Sequence, residues 1–145
     1  MRSARVSLVA AGLAVLGAST GLAVAGATPA QAVQFTSDVL VVSYQAAPDR
    51  PVQSWSLSCA PVAGSHPRTQ SACGTLEKLK AQGVADPFVA VPSDAMCTMI
   101  YSGPENARVT GRWNGRTVDA NLNKVGGCEI ARWEAVAPVV DPLNG

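Results

Sequence analysis

The residues with the most reactive side chains lie in one stretch, DAMCTMIY, from Asp94 to Tyr101. Met96, Cys97 and Met99 are soft sulfur donors, and with His66, the sole histidine, they form a set that suits Cu(I). That chemistry requires Cys97 as a reduced thiolate. Three readings of the stretch compete at this point: a buried apolar strand, a soft-metal site, and a segment held out on the surface. Exposed apolar residues on a pinned, extended segment would mark a contact site, bound as an added strand in the way a protease cleft holds its substrate.

Other chemistry is thinly supplied. His66 sits between Ser65 and Pro67 and reads as structural. The acids are scattered without a paired-carboxylate pattern. No G-x-S-x-G, H-E-x-x-H or phosphate-cradling glycine loop occurs, so the inventory argues against an enzyme and against a bound cofactor. No C-x-x-C occurs either, and the wide cysteine spacing argues against structural zinc.

The compartment decides the state of the cysteines. Arg2 and Arg5 precede an Ala/Leu/Val/Gly run over Val6 to Ala27, and Ala30-Gln31-Ala32 fits a small-x-small cleavage site. Residues 1–32 therefore read as a secretory signal peptide. The weak hydrophobicity of the run and the break at Pro29 favour removal over a membrane anchor. The remaining 113 residues, 33–145, amount to one domain. Without Arg2 and Arg5, nine basic groups face ten acidic ones. That balance provides no basic stripe for nucleic acid and no polybasic segment for anionic lipid.

Outside the cytosol, Cys59, Cys73, Cys97 and Cys128 read as two disulfides, for which three connectivities exist. Neighbour with neighbour is the simplest. It would close loops worth roughly 3 and 3.7 kcal/mol by chain entropy.

The elements that must position these residues follow from pattern. DVLVVSY (38–44) is apolar and β-branched and reads as a buried strand. SWSLSC puts Trp55, Leu57 and Cys59 on one face and serines on the other. The chain from Cys59 to Cys73 reads as loop, with Pro61, Gly64 and Pro67. A helix follows, with Ser71 as its expected N-cap, Leu76 and Leu79 on one side and Gly83 as its stop. Asn114-Gly115 predicts a two-residue type I′ hairpin in which Trp113 faces Arg116, Gly111 faces Val118 and Val109 faces Ala120. CEIARWEA reads as a short helix. AVAPVV reads as a final strand, at an edge because of Pro138. The expected class is α+β, a five-stranded mainly antiparallel sheet with two short helices and two disulfides.

Two motifs then supply a resemblance. CAPVAGSHPRTQSAC (59–73) has the form C-x-P-x-x-G-x-H-P-x4-A-C followed by Leu76, and MCTMIY (96–101) is similar to Met-Cys-Pro-Met-Val-Tyr. With the RWNGR turn, they resemble the Streptomyces subtilisin inhibitor family over nearly all of the chain from Asp38 onward. The resemblance implies a secreted, usually dimeric inhibitor of subtilisin-like serine proteases on a five-stranded antiparallel sheet with two helices. It also implies the pairs Cys59–Cys73 and Cys97–Cys128. By position, Met99–Ile100 would be the scissile bond, with Met99 in the protease's specificity pocket. Met96, Cys97 and Thr98 would lie on the acyl side, and Ile100 and Tyr101 on the leaving-group side. The alternative within this resemblance is the same fold as a secreted binding module, or as a protease or crosslinking-enzyme substrate, without tight inhibition.

Three positions depart from the family pattern. Thr98 stands where proline is usual, YSGPENARV (101–109) is one residue longer, and Gly126-Gly127 replaces an Asn-Glu pair. Thr98 leaves φ less restricted and the loop looser, and the longer stretch alters the leaving-group side. A glycine has no side chain to support the loop, so the departures imply weaker or more transient inhibition.

Overall fold

Leu40, Val42 and Tyr44 are the residues around which the sheet is built. They alternate along the first strand, β1 (Val39–Gln45), and all three are buried. Val39 and Val41 point to the opposite, open face, so the strand expected to be buried throughout is buried on one side only. The computed structural model describes residues 38–143, and the signal-peptide reading of residues 1–32 lies outside them. β1 is flanked by β2 (Gln53–Cys59) and by the long β4 (Tyr101–Trp113). β3 (Val62–Ala63) lies beyond β2, and β5 (Arg116–Val125) beyond β4. The order β3-β2-β1-β4-β5 is antiparallel throughout.

Helices α1 (Thr69–Ala81), α2 (Gly127–Ala135) and α3 (Ala137–Val140) supply the other half of the core. Ala72, Cys73 and Leu76 of α1, Trp133 of α2, and Val139 and Val140 of α3 join Leu57, Val109 and Leu122 of the sheet in one apolar cluster. Each fully buried leucine or valine among them contributes roughly 1.5–3 kcal/mol. The Cys59–Cys73 bridge fastens α1 to the end of β2.

The hairpin forms as its sequence predicts. Asn114 has φ +50° and Gly115 φ +74°, the pair of left-handed residues that a type I′ turn needs. Trp113 faces Arg116, Gly111 faces Val118 and Val109 faces Ala120. Helix α1 ends as expected at Gly83, whose N–H bonds the Lys80 carbonyl while Val84 N–H bonds that of Leu79, both at 3.0 Å.

Three expectations are corrected. AVAPVV (135–140) is not an edge strand but the last residue of α2, Val136 and the whole of α3. Val136, Val139 and Val140 are all buried, and their i, i+3, i+4 spacing is the helical period. Pro138 sits in the first turn, where its missing N–H costs nothing. The fifth strand is instead β3, inside the segment read as loop, where Val62 and Ala63 pair with Cys59 and Ser58. Helix α1 starts before Ser71. Arg68 is its N-cap, with no side-chain cap, and Thr69 Oγ1 donates to the His66 carbonyl at 2.6 Å.

The pairing of β4 with β5 slips between Tyr101 and Asn106. Tyr101 faces Val125 and Asn106 faces Asn123, so β4 spends more residues than its partner over this stretch. Pro104 lies inside the bulge, where a residue without an N–H is tolerated.

Candidate functional site

Between the end of α1 and the start of β4 the chain has no helix or strand, and Pro92 to Ser102 is exposed throughout. Met96 and Met99 are 100% exposed, Ile100 53% and Tyr101 66%. DAMCTMIY is therefore displayed, and the buried-strand reading falls. Cys97 is bonded to Cys128, so the thiolate that copper would need is absent.

His66 has a different occupation. It is 3% exposed, packs edge-on against Trp55, accepts the Arg68 N–H at Nδ1 (3.1 Å) and donates from Nε2 to the Val139 carbonyl at 2.9 Å. Burial pushes its pKa below the ordinary imidazole value, opposed by the Val139 bond and helped by the nearby Arg68 charge. It is a neutral strut between the 59–73 segment and α3.

The displayed loop is fastened close to its tip. The Cys97–Cys128 bridge joins it to the first turn of α2. The Gly127 N–H bonds the Thr98 carbonyl at 2.9 Å, and the Gly126 N–H bonds the Ile100 carbonyl at 2.7 Å. Met99 thus stands between two anchored carbonyls, with its side chain wholly in solvent. Immediately afterwards Tyr101 enters β4 opposite Val125. At the glycine pair, main-chain N–H groups supply bonds to the loop that need no side chain.

The anchor is itself rigid. Gly126 has φ +86°, a conformation that side-chain-bearing residues rarely adopt, and it turns the end of β5 into α2. Within α2, Trp133 is buried against Tyr44. Arg132 binds the Asn121 carbonyl at 2.8 Å, Glu129 at 2.9 Å and the Phe88 carbonyl at 2.7 Å. One guanidinium therefore joins β5, α2 and the segment that leads into the loop.

All six residues expected at the contact, Met96, Cys97, Thr98, Met99, Ile100 and Tyr101, are brought out together on this loop. Sequence reasoning missed Val125. It is 58% exposed, and with Tyr101 and Ile100 it lines a shallow apolar hollow beside Met99. An apolar residue ending a strand just before a glycine pair was the available signal.

The chain is similar in sequence to known proteins over the part that carries the loop. Residues 34–123, which include the whole loop, match the family described as subtilisin inhibitor-like. Subtilisin inhibitor-like protein 1 of Streptomyces cacaoi is 32% identical over 91 residues, 62% of this chain and 82% of that protein. Subtilisin inhibitor-like protein 7 of Streptomyces ambofaciens is 42% identical over 69 residues, 46% of this chain and 58% of that protein. Among solved structures, sermetstatin of Streptomyces caespitosus, crystallised in complex with Bacillus licheniformis subtilisin, aligns with 74% of this chain and 98% of its own, at 21% identity and a TM-score of 0.42.

Proposed function

The chain belongs to the subtilisin inhibitor-like family, and from that premise we propose that it inhibits subtilisin-like serine proteases as a tightly held substrate mimic, with Met99–Ile100 as the reactive bond. The observation that supports this most is the pose of Met99. Its side chain is fully exposed, its two flanking carbonyls are tied by Gly126 and Gly127, and a disulfide lies two residues away.

The chemistry follows from that pose. A flexible, unbranched thioether suits a roomy apolar specificity pocket. Met96, Cys97 and Thr98 extend along the acyl side of the cleft, and Ile100 and Tyr101 along the leaving-group side. A loop already ordered before binding avoids most of the entropy that a free peptide loses. The protease serine attacks the Met99 carbonyl carbon, and the Ile100 nitrogen is the leaving amine. That amine stays beside the acyl group, because Gly126 holds the Ile100 carbonyl and β5 holds Tyr101. Rejoining then competes with hydrolysis, so cleavage is slow and the complex persists. The protein's own part is recognition and not catalysis.

The setting belongs to the same reading. Residues 1–32 act as a secretion signal and 33–145 form the active domain, consistent with two disulfides that persist in oxidising compartments. No helix among the described residues is long and apolar enough to cross a membrane. The protein works as a homodimer, and the open sheet face bearing Val39 and Val41 is available for a second copy.

Titration of subtilisin with the secreted protein tests the function. Loss of activity at a stoichiometric ratio, with any cut located between Met99 and Ile100, is expected. Rapid cleavage with no loss of protease activity would make the protein a substrate instead. Sedimentation at micromolar concentration should give twice the mass of the secreted chain, and a monomer would remove the dimer while leaving inhibition intact.

A further inference from the structure

Gly127 is a glycine for a reason different from that of its neighbour. Gly126 needs its left-handed φ, whereas Gly127 is not among the positive-φ residues and starts an ordinary helix. Alanine would suit that helix better, by up to about 1 kcal/mol. What a side chain at 127 would meet is the loop. A Cβ built there falls well inside contact distance of Thr98 Oγ1, 3.5 Å from Thr98 Cβ and 3.7 Å from the Thr98 nitrogen.

The approach is forced by the hydrogen bond already described. The Gly127 N–H draws the Thr98 carbonyl to 2.9 Å, and this leaves the threonine side chain over the bare Cα of Gly127. Threonine is branched at Cβ and has few χ1 choices. Its hydroxyl fills the space that the missing side chain leaves.

We infer that Thr98 and Gly127 are a matched pair of positioning residues that sets the pose of the Met99–Ile100 bond, resting on the inhibitor reading above. Both departures from the family pattern then become one device. A residue before Met99 with a free φ is fixed by a main-chain bond and a fitted side chain, in place of a proline ring and a supporting side chain. Adding a Cβ at 127 forces either the Thr98 hydroxyl to rotate or the loop to lift, and both change what the protease meets next to Met99.

The test is a cycle of four proteins: wild type, Thr98→Ala, Gly127→Ala and the double variant. Each is incubated with subtilisin; the inhibition constant and the rate and position of cutting are measured, and a thermal melt is taken. Gly127→Ala in the Thr98 background should raise the inhibition constant and the cutting rate on the order of tenfold to a hundredfold, the scale of a misplacement of about 1 Å. In the Thr98→Ala background the same change should matter less than about twofold, since no hydroxyl remains to collide. In the Thr98→Ala background the melting temperature should hold or rise on Gly127→Ala, because alanine is the better helix former and no hydroxyl remains to collide. An equal factor in both backgrounds, including no effect in either, overturns the pair while the inhibitor reading stands. Coupled cutting at Met99–Ile100 without stoichiometric loss of protease activity supports the pair and removes the inhibitor reading. Cutting only at another bond overturns both.

Discussion

Replacing Met99 separates display from burial most directly. The side chain is 100% exposed in the free protein, so Met99→Ala removes no internal contact. The expected change in folding stability is below about 0.5 kcal/mol. In the complex the same side chain would be enclosed, and burying a methionine contributes roughly 1.5–3 kcal/mol. At about 1.4 kcal/mol per tenfold, Met99→Ala should weaken subtilisin inhibition by about ten- to a hundredfold. Met99→Lys extends the argument. An exposed lysine should likewise leave the melt unchanged, and it supplies the cation that the buried acid of a trypsin-like pocket requires. Trypsin inhibition should therefore appear where wild type has little. The assay is a thermal melt with parallel titrations of subtilisin and trypsin. A melt far below wild type would mean that Met99 is packed, since an unpaired buried charge is costly. Unchanged subtilisin inhibition by Met99→Ala would mean that another residue enters the pocket. Either result refutes the assignment.

Three further outcomes follow from the scaffold. Replacing Cys97 and Cys128 together by serine opens a cross-link spanning 31 positions, and should lower stability in denaturant titrations by about 3.7 kcal/mol while speeding the cut beside Met99. Arg132→Met removes charged donors from the Asn121 and Phe88 carbonyls, and calorimetry should show a loss of about 2–3 kcal/mol. His66 has a folded pKa below its ordinary value of 6.5, so the unfolded chain binds a proton first as pH falls. Its contribution is complete above about pH 6.5 and is lost as pH drops through the lower folded value; His66→Gln should flatten that part of a stability-versus-pH curve, and an unchanged slope would assign it to other groups.

The fold was legible wherever one local rule decided the outcome. The Asn114-Gly115 turn fixed its own register, because both residues must have positive φ and the flanking alternation admits one pairing. The same kind of rule misled at AVAPVV. Apolar β-branched residues beside a proline suit an edge strand, yet Val136, Val139 and Val140 also mark a helical stripe. Four or five residues cannot separate the two periods; the covering of the core by α3 does. β3 was hidden for the opposite reason: two paired residues carry no periodicity at all.

At the site, the side chains were legible and their support was not. Two methionines beside a cysteine, in a segment with no buried partner in view, fit display once the cysteine was paired. The Gly126-Gly127 pair looked like a loss because side chains were counted. Every residue except proline carries an N–H, so nothing in the sequence distinguishes the two N–H groups that meet Thr98 and Ile100 from all the others. What singles them out is geometry. The left-handed turn at Gly126 and the start of α2 aim both donors at the loop, and the Cys97–Cys128 bridge holds the loop within reach. The missing side chain at 127 leaves room for Thr98 over the backbone there, whereas Gly126 contributes its left-handed turn. A glycine pair beside an exposed loop can therefore hold it through its backbone, where a cross-link or strand has already brought the two chains together.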